Sequence, residues 1–333
     1  MASRLGLRRR VEVVSFPKSG RTWLRMMLGR VLVARFDLGD VTTLNLGELA
    51  AHDRSIPWIR FTHDDNPQDK RVVEIETDKS AFRHVPTVLL VRDPRDVVVS
   101  NFFQVHRRER GADGREATPD EVGAFMRGEV GGLASIVAHQ NVWARQRAVL
   151  GDGLVVVRYE DLHADARGCL QRIAALAGLG RLTDGELDAA IDGASFGAMR
   201  DLERSGAIEH AMLRPGDAAD PESFKVRRGK VGGFVDYLDA DDCDFMDAYI
   251  EATLLPGTAI GATNGALWRR CPQAPRVRKI DHPPGPTAQP TTIRMSPNRI
   301  WPWMSWTMPT MTSTTATSHK SAAMVVSSLR RSS

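Results

Sequence analysis

Cysteine is scarce in this chain: Cys169, Cys243 and Cys271 are the only ones among 333 residues. Their separations match neither a zinc motif nor a secreted disulfide framework, so no metal is expected and a reducing compartment is the simpler home. Long apolar runs are missing too. The start, MASRLGLRRRVEVVSF, has basic residues without the apolar stretch of a signal peptide, and the roughly 18 consecutive apolar residues of a membrane span occur nowhere. No transmembrane segment and a cytoplasmic location are therefore expected. No internal repeat is evident. Acidic residues nearly vanish late in the chain, where Gly257 to Ser333 carry ten Lys and Arg against Asp281 alone.

What is present has the proportions of a globular protein, with 42% hydrophobic and 26% charged residues. The net charge of +4 is uneven, because residues 1–256 hold 35 basic against 40 acidic side chains. The body is mildly acidic, no basic face is evident on it, and nucleic acid is not an expected partner. Ten of the eighteen prolines fall from Pro256 onward, and WPWMSWTMPTMTSTTATS follows without any period. Residues 1–255 are thus read as the folded domain, and 256–333 as a Pro-, Ser-, Thr- and Met-rich basic tail, irregular or disordered, outside the core.

Within the domain, VEVVSF at 11–16 is β-branched and apolar, and WLRMMLGRVLVARF after it has helical spacing. The pattern repeats at PTVLLV, 86–91, a run fit for a strand buried on both faces, after which Asp93 can cap a helix opened by Pro94. LVVVRY at 154–159 reads as a third strand, followed by an amphipathic helix over 164–179. Thr118, Pro119 and Glu121 form a capping signature for a helix running to about Arg147, interrupted near Gly131 and Gly132. Segments 186–192 and 239–253 are also helical in period. Strands alternating with helices imply an α/β fold with a parallel sheet. Regions 37–57, 106–117 and 203–224 lack a period and are candidate acceptor loops.

Between the first strand and its helix stands Pro17-Lys18-Ser19-Gly20-Arg21-Thr22-Trp23. A turn here aims successive backbone N–H groups and the positive end of a helix dipole at one point, which suits an anion. It is not GxxxxGK[ST], since the lysine precedes the glycine.

This loop, with two later segments, resembles the sulfotransferase family that uses 3′-phosphoadenosine 5′-phosphosulfate (PAPS), whose loop reads PKSGTTW and holds the 5′-phosphosulfate. Here Arg21 replaces a threonine. Arg92 and Ser100 in VRDPRDVVVS match the family's Arg and Ser on the 3′-phosphate. Arg227, Arg228, Gly229 and Gly232 in FKVRRGKVGG match its RKGxxG segment, although Gly233 and Phe234 follow where the family has Asp-Trp. Tyr159 in RYEDL and Phe196 in ASF match residues near the adenine, with Trp23 on the other face of the base and Ala194 in place of a threonine. The resemblance spans about residues 11–253. It implies a three-layer, P-loop-like nucleotide-binding fold and PAPS as donor, with no metal required.

The resemblance further implies that Lys18 neutralises the leaving 5′-phosphate while the loop from Ser19 to Trp23 (Ser19, Gly20, Arg21, Thr22, Trp23) holds the transferred group. His63, in Phe61-Thr62-His63, occupies the place of the family's general base. The family's lysine is replaced there by Phe61, with Arg60 one residue earlier. His52, His84 and His106 are read as solvated or structural, and His139 with Trp143 as an i, i+4 packing pair. The implied reaction is sulfuryl transfer to a hydroxyl or amine of a small-molecule, lipid or saccharide acceptor. Two alternatives stand beside it: a P-loop small-molecule kinase, and a non-catalytic bisphosphonucleotide-binding protein. The acceptor is left open, as is a homo-oligomeric state.

Overall fold

The computed structural model describes residues 8–39, 41, 44–109, 117–206, 213, 217, 220 and 223–255, without the side chains of 107–109. The expected tail at 256–333, Cys271 and much of 203–224 lie outside the described residues.

Four parallel strands form the centre: β1 (Arg10–Val14), β2 (Trp58–Thr62), β3 (Thr87–Val91) and β4 (Leu154–Arg158), in the order β2-β1-β3-β4. β1 pairs with β2 through Val13↔Phe61 and with β3 through Val13↔Val88. The buried strands β1 and β3 are covered on both faces, which is why their sequences are continuously apolar rather than alternating. Val11, Val13, Val88 and Leu90 enter one core, and Val14, Leu89 and Val91 enter another.

The first core is closed by α1 (Arg21–Arg35), α2 (Leu46–His52), α7 (Ala166–Leu176), α8 (Asp184–Gly193) and α9 (Phe196–Ser205). In α1, Leu24, Met27, Leu28, Val31 and Leu32 are buried at the spacing of one helical face. Across the sheet, α3 (Pro94–Phe103), α4 (Pro119–Met126), α5 (Leu133–Leu150) and α10 (Ala240–Thr253) build further core. α6 (Tyr159–Ala164) follows β4 directly. The result is three layers, helices–sheet–helices.

Several elements depart from the sequence reading. The interruption expected near Gly131 and Gly132 is present and is a full break: the chain bends between Met126 and Leu133, where Gly131 is left-handed (φ 70°) and a Cβ on Gly132 would press the carbonyls of Met126 and Gly128, so two helices stand over 118–150. The fourth strand, β2, carries no apolar run; WIRFT buries only Ile59 fully. α2 sits inside a stretch read as irregular. The continuation of α3 over Gln104–Glu109 is a π-turn rather than a loop.

The sheet order reverses between β1 and β3, since the connection from β1 leads to one side and β3 lies on the other. That reversal opens a crevice at the carboxyl ends of these two strands, where doubly wound sheets bind ligands. The loop of residues 15–20 leaves β1 there and Arg92 leaves β3 there. Gly20 is left-handed (φ 96°), and a Cβ on it would lie 2.5 Å from Cδ2 of Tyr159. Gly20→Ala is therefore expected to destabilise the protein by about 1–2 kcal/mol from backbone strain alone, and to displace the Tyr159 ring. A lowered midpoint in denaturant unfolding and a changed tyrosine signal in near-ultraviolet circular dichroism are the checks.

Candidate active site

The amino end of α1 has no side-chain cap and no acid in its first turn. Elsewhere Asp93, Thr118, Asp165, Thr183, Ser195 and Asp239 cap helices with their own side chains. The first N–H groups of α1 are thus left facing the crevice, with the positive helix end behind them. Ser19 is buried and its Oγ has no hydrogen-bond partner. Lys18, itself left-handed (φ 69°), donates from Nζ to Gln104 Oε1 at 2.9 Å.

Arg92 reaches across from β3. Its guanidinium donates to the Lys18 carbonyl at 3.3 Å and the Lys230 carbonyl at 3.1 Å, approaches Asp96 at 3.4 Å, and lies 4.3 Å from the centre of the Tyr159 ring. Its Nε is buried without a partner. A buried arginine N–H and a buried serine hydroxyl, both unsatisfied beside an uncapped helix end, are donors waiting for an acceptor-rich ligand.

The segment 225–234 is held over this crevice from two sides. Asp96 accepts from Gly232 N at 2.8 Å and Phe234 N at 3.1 Å. On the other side, Glu203 in α9 accepts from Val226 N at 2.8 Å, and Arg200 donates to the carbonyls of Val226 and Arg227 at 2.9 and 2.8 Å. Lys18, Ser100, Gln104, Lys225 and Arg227 line one hollow with Phe103. Arg227 stacks 4.3 Å over Phe103 and bonds the Tyr237 hydroxyl. Arg228, its expected companion, is exposed, pairs with Asp236 at 2.9 Å, and is not among the residues lining that hollow. Phe234 is buried in the core, with Arg95 4.5 Å over its ring.

The aromatic group also assembles. Trp23 donates from Nε1 to the Ala194 carbonyl at 2.8 Å and meets Tyr159 edge-on at 5.6 Å. His163 joins them, 4.6 Å from Trp23 and 4.7 Å from Tyr159. Phe196 begins α9 just beyond Ala194, half exposed, and packs against Gly229, where a Cβ would come within 2.7 Å of its ring. Thr22 lies in the first turn of α1.

His63 stands beyond the end of β2, with Nδ1 3.0 Å from the Ser15 carbonyl. A carbonyl only accepts, so in the neutral ring Nδ1 carries the proton and Nε2 keeps its lone pair. Burial, and then Arg21, Lys225 and Arg25, push the imidazole pKa down to about 4, against the smaller opposing effect of the Ser15 bond. His63 is therefore neutral near pH 7. The turn after it is pinned separately: Asp64 pairs with buried Lys79 at 2.7 Å and accepts from Trp143 Nε1 at 3.0 Å. His63 does not cap that turn; Asp64 N bonds Thr62 Oγ1 instead.

Arg60 does not replace the missing lysine. It points to the other face of β2 and pairs with Glu12 at 2.8 Å. The cation at Phe61 is Arg25, 4.4 Å over its ring. Arg25, Gln104, Asp96, Arg200 and Glu203 were not singled out by the sequence reading; only the i, i+4 spacing of Arg21 and Arg25 on a helix could have pointed to one of them. His139 is fully buried with both ring nitrogens unpartnered, edge-on to Phe16 at 5.7 Å, and burial drives its pKa down to about 3.

The family follows from comparison with known proteins. The sulfotransferase domain matches residues 8–258, and the chain belongs to that family. It is 26% identical over 246 residues to the 3-alpha-hydroxysteroid sulfotransferase of Cavia porcellus, covering 70% of this chain and 79% of that protein. It is 24% identical over 257 residues to cytosolic sulfotransferase 17 of Arabidopsis thaliana, covering 72% of each. Its fold is that of retinol dehydratase, solved with androsterone and the inactive cofactor PAP (TM-score 0.54, 18% identity, 74% of this chain and 80% of that one). The mouse sulfotransferase SULT7A1 complexed with PAP has the same fold (TM-score 0.51, 16% identity, 74% and 84%). The protein is a sulfotransferase. No helix among the described residues is long and apolar enough to cross a membrane.

Asp96 holds the 232–234 end of the segment to the crevice. Asp96→Ala leaves two N–H groups without an acceptor, at a cost of about 2 kcal/mol or more. The amides of Gly232 and Phe234 are expected to lose protection in hydrogen exchange while those of β1 and β3 keep theirs.

Proposed function

We propose that this protein transfers the sulfuryl group of PAPS to a hydroxyl or amine of a small acceptor, with His63 as general base and Lys18 at the leaving group. The carrying observation is the pair of unsatisfied buried donors, Ser19 Oγ and Arg92 Nε, beside the uncapped end of α1 at the sheet's reversal point. They fit a ligand with several anionic oxygens. The PAP complexes of two proteins of the same fold support that choice.

In this reading the N–H groups of α1 and Ser19 hold the 5′ end, Arg92, Ser100 and Arg227 the 3′-phosphate, and Trp23, Tyr159 and Phe196 the adenine. Arg228 and Gly229 contribute through the loop that carries Arg227. When bound, PAPS supplies an activated sulfuryl group on a good anionic leaving group. In this reading Lys18 would neutralise the negative charge that builds on the 5′-phosphate as the bond between sulfur and the bridging oxygen breaks. His63 Nε2 takes the acceptor's proton as the acceptor oxygen bonds to sulfur. The Ser15 carbonyl keeps the ring in the tautomer this requires. The compartment we propose is the cytoplasm, as the name of the Arabidopsis relative suggests.

His63→Ala is expected to lower sulfuryl transfer from radiolabelled PAPS by about 100-fold or more, while calorimetry finds PAP affinity close to that of the parent. Full turnover in that variant would reject His63 as base. Donor binding with no transfer to phenol, sugar, lipid or amine acceptors would favour the non-catalytic binding protein.

The pH behaviour has a definite sign. In the free protein His63 binds a proton only as pH falls towards about 4. An anionic nucleotide nearby offsets the neighbouring cations and raises that value. Proton NMR of the His63 ring should show its midpoint moving upward when PAP is added; a midpoint unmoved or lowered would place the nucleotide away from His63.

A further inference from the structure

His63 is followed by Asp64, Asp65 and Asn66, all three in the left-handed region (φ 52°, 70° and 50°). A residue with a Cβ enters that region at a cost, and aspartate and asparagine do so as single residues rather than in runs. Three in succession persist only where the surroundings over-determine them, and such strain collects at functional sites. Here it stands directly against the proposed base.

The surroundings that hold it are specific. Asp64 Oδ2 receives the Lys79 ammonium at 2.7 Å and the Trp143 indole N–H at 3.0 Å. Lys79 is 1% exposed, as buried as the core residues around it, and its Nζ lies 5.9 Å from the centre of the Trp143 ring. Phe82 packs edge-on against that ring at 5.0 Å. Asp65 pairs with Lys70, whose carbonyl accepts from Ser135 Oγ on α5 at 3.2 Å. The Asp64 amide donates to Thr62 Oγ1 at 3.0 Å, and the Ser15 amide to the Thr62 carbonyl at 3.3 Å, so the chain is fixed on both sides of His63.

A buried ion pair is a weak source of stability, because desolvating both charges offsets their attraction and an apolar pair of similar volume often serves as well. What this pair supplies is direction, since the Asp64 carboxylate must meet the ammonium and the indole with one oxygen. The charges that lower the His63 pKa are those of Arg21, Lys225 and Arg25, so Lys79 bears on the base through position. His139, one turn before Trp143 on α5, is kept neutral by burial and then by Lys79, which leaves Asp64 as the counterion of Lys79.

We infer that Lys79 is a positioning residue for the general base. Through Asp64 it locks the left-handed turn at 64–66 against α5, and that lock holds the His63 ring with Nδ1 on the Ser15 carbonyl and Nε2 free for the acceptor's proton. The inference rests on the reading of His63 as base. The chemistry is the same as before: the acceptor's proton passes to Nε2, and neither Lys79 nor Asp64 gains or loses one.

The test combines Lys79→Met with Asp64→Asn in the full chain. The double change removes both charges, leaves neither unpaired, and keeps an oxygen for the Trp143 N–H on a residue type that tolerates the left-handed backbone. With isotope-labelled histidine, proton–nitrogen NMR of the parent should show the His63 Nδ1–H protected from exchange with and without PAP, and the double variant should lose that signal. Lys79→Arg, which keeps a cation for Asp64, should retain it. With radiolabelled PAPS and whichever phenol, sugar, lipid or amine the parent turns over fastest, kcat of the double variant should fall about 10- to 100-fold. PAP affinity by calorimetry should stay within about twofold, because Lys79 lies outside the nucleotide crevice. A His63 ring in fast exchange in the folded parent overturns the inference without any variant. A double variant that keeps the ring signal and kcat also overturns it, as does one that loses PAP affinity as much as kcat. Full turnover in His63→Ala removes the base reading and this inference with it, and that outcome is read from His63 alone.

Discussion

The Arg92 guanidinium is the joint on which the crevice depends. It leaves β3, donates to a carbonyl of the loop after β1 and to one of the segment after Arg228, and rests on the ring that opens α6. Those segments are separated by 74 and 138 residues in sequence. A planar group with several fixed donors can satisfy them together, which a lysine could not. Asp96, one turn along α3, completes the joint by holding both Arg92 and the backbone of Gly232 and Phe234. A single Nε is left over, and it is the one directed to no protein partner.

Around that joint the protein segregates charge. The carboxylates near it are committed: Asp93 to Arg95, Asp96 to Arg92 and the loop, Glu203 to the backbone of 225 and 226. The hollow itself keeps Lys18, Lys225 and Arg227 on its walls. Burial, with neighbouring cations adding to it for His63 and Arg21, holds His63 neutral and makes Arg21 and Arg25 ionise less readily than in water.

Much of this was legible in the residues. The PKSG turn, the Asp93–Pro94 helix start and the Thr118 capping box are local, governed by φ, by missing N–H groups and by side chains three residues away, and each stands where the pattern placed it. β2 was not legible. Its residues alternate and end in polar groups, because it lies at the edge of the sheet and only Ile59 is fully buried. α2 was hidden for a related reason: at seven residues it is too short to show a period. Arg228 matched its motif as well as Arg227 did, yet one faces Asp236 and the other the hollow, a difference set by backbone direction within one loop.

The sequence by itself determined the class of the protein, because the turn at PKSG and the helix starts that carry the resemblance are built from a few consecutive residues whose backbone preferences suffice. Tertiary structure alone decided that Arg60 turns away to Glu12 while Arg25 comes over Phe61, and that His63 binds the Ser15 carbonyl through Nδ1. Alternation along a strand and the register between helix and sheet set these outcomes. Both depend on which faces become buried when distant segments pack, a quantity no local stretch of sequence contains.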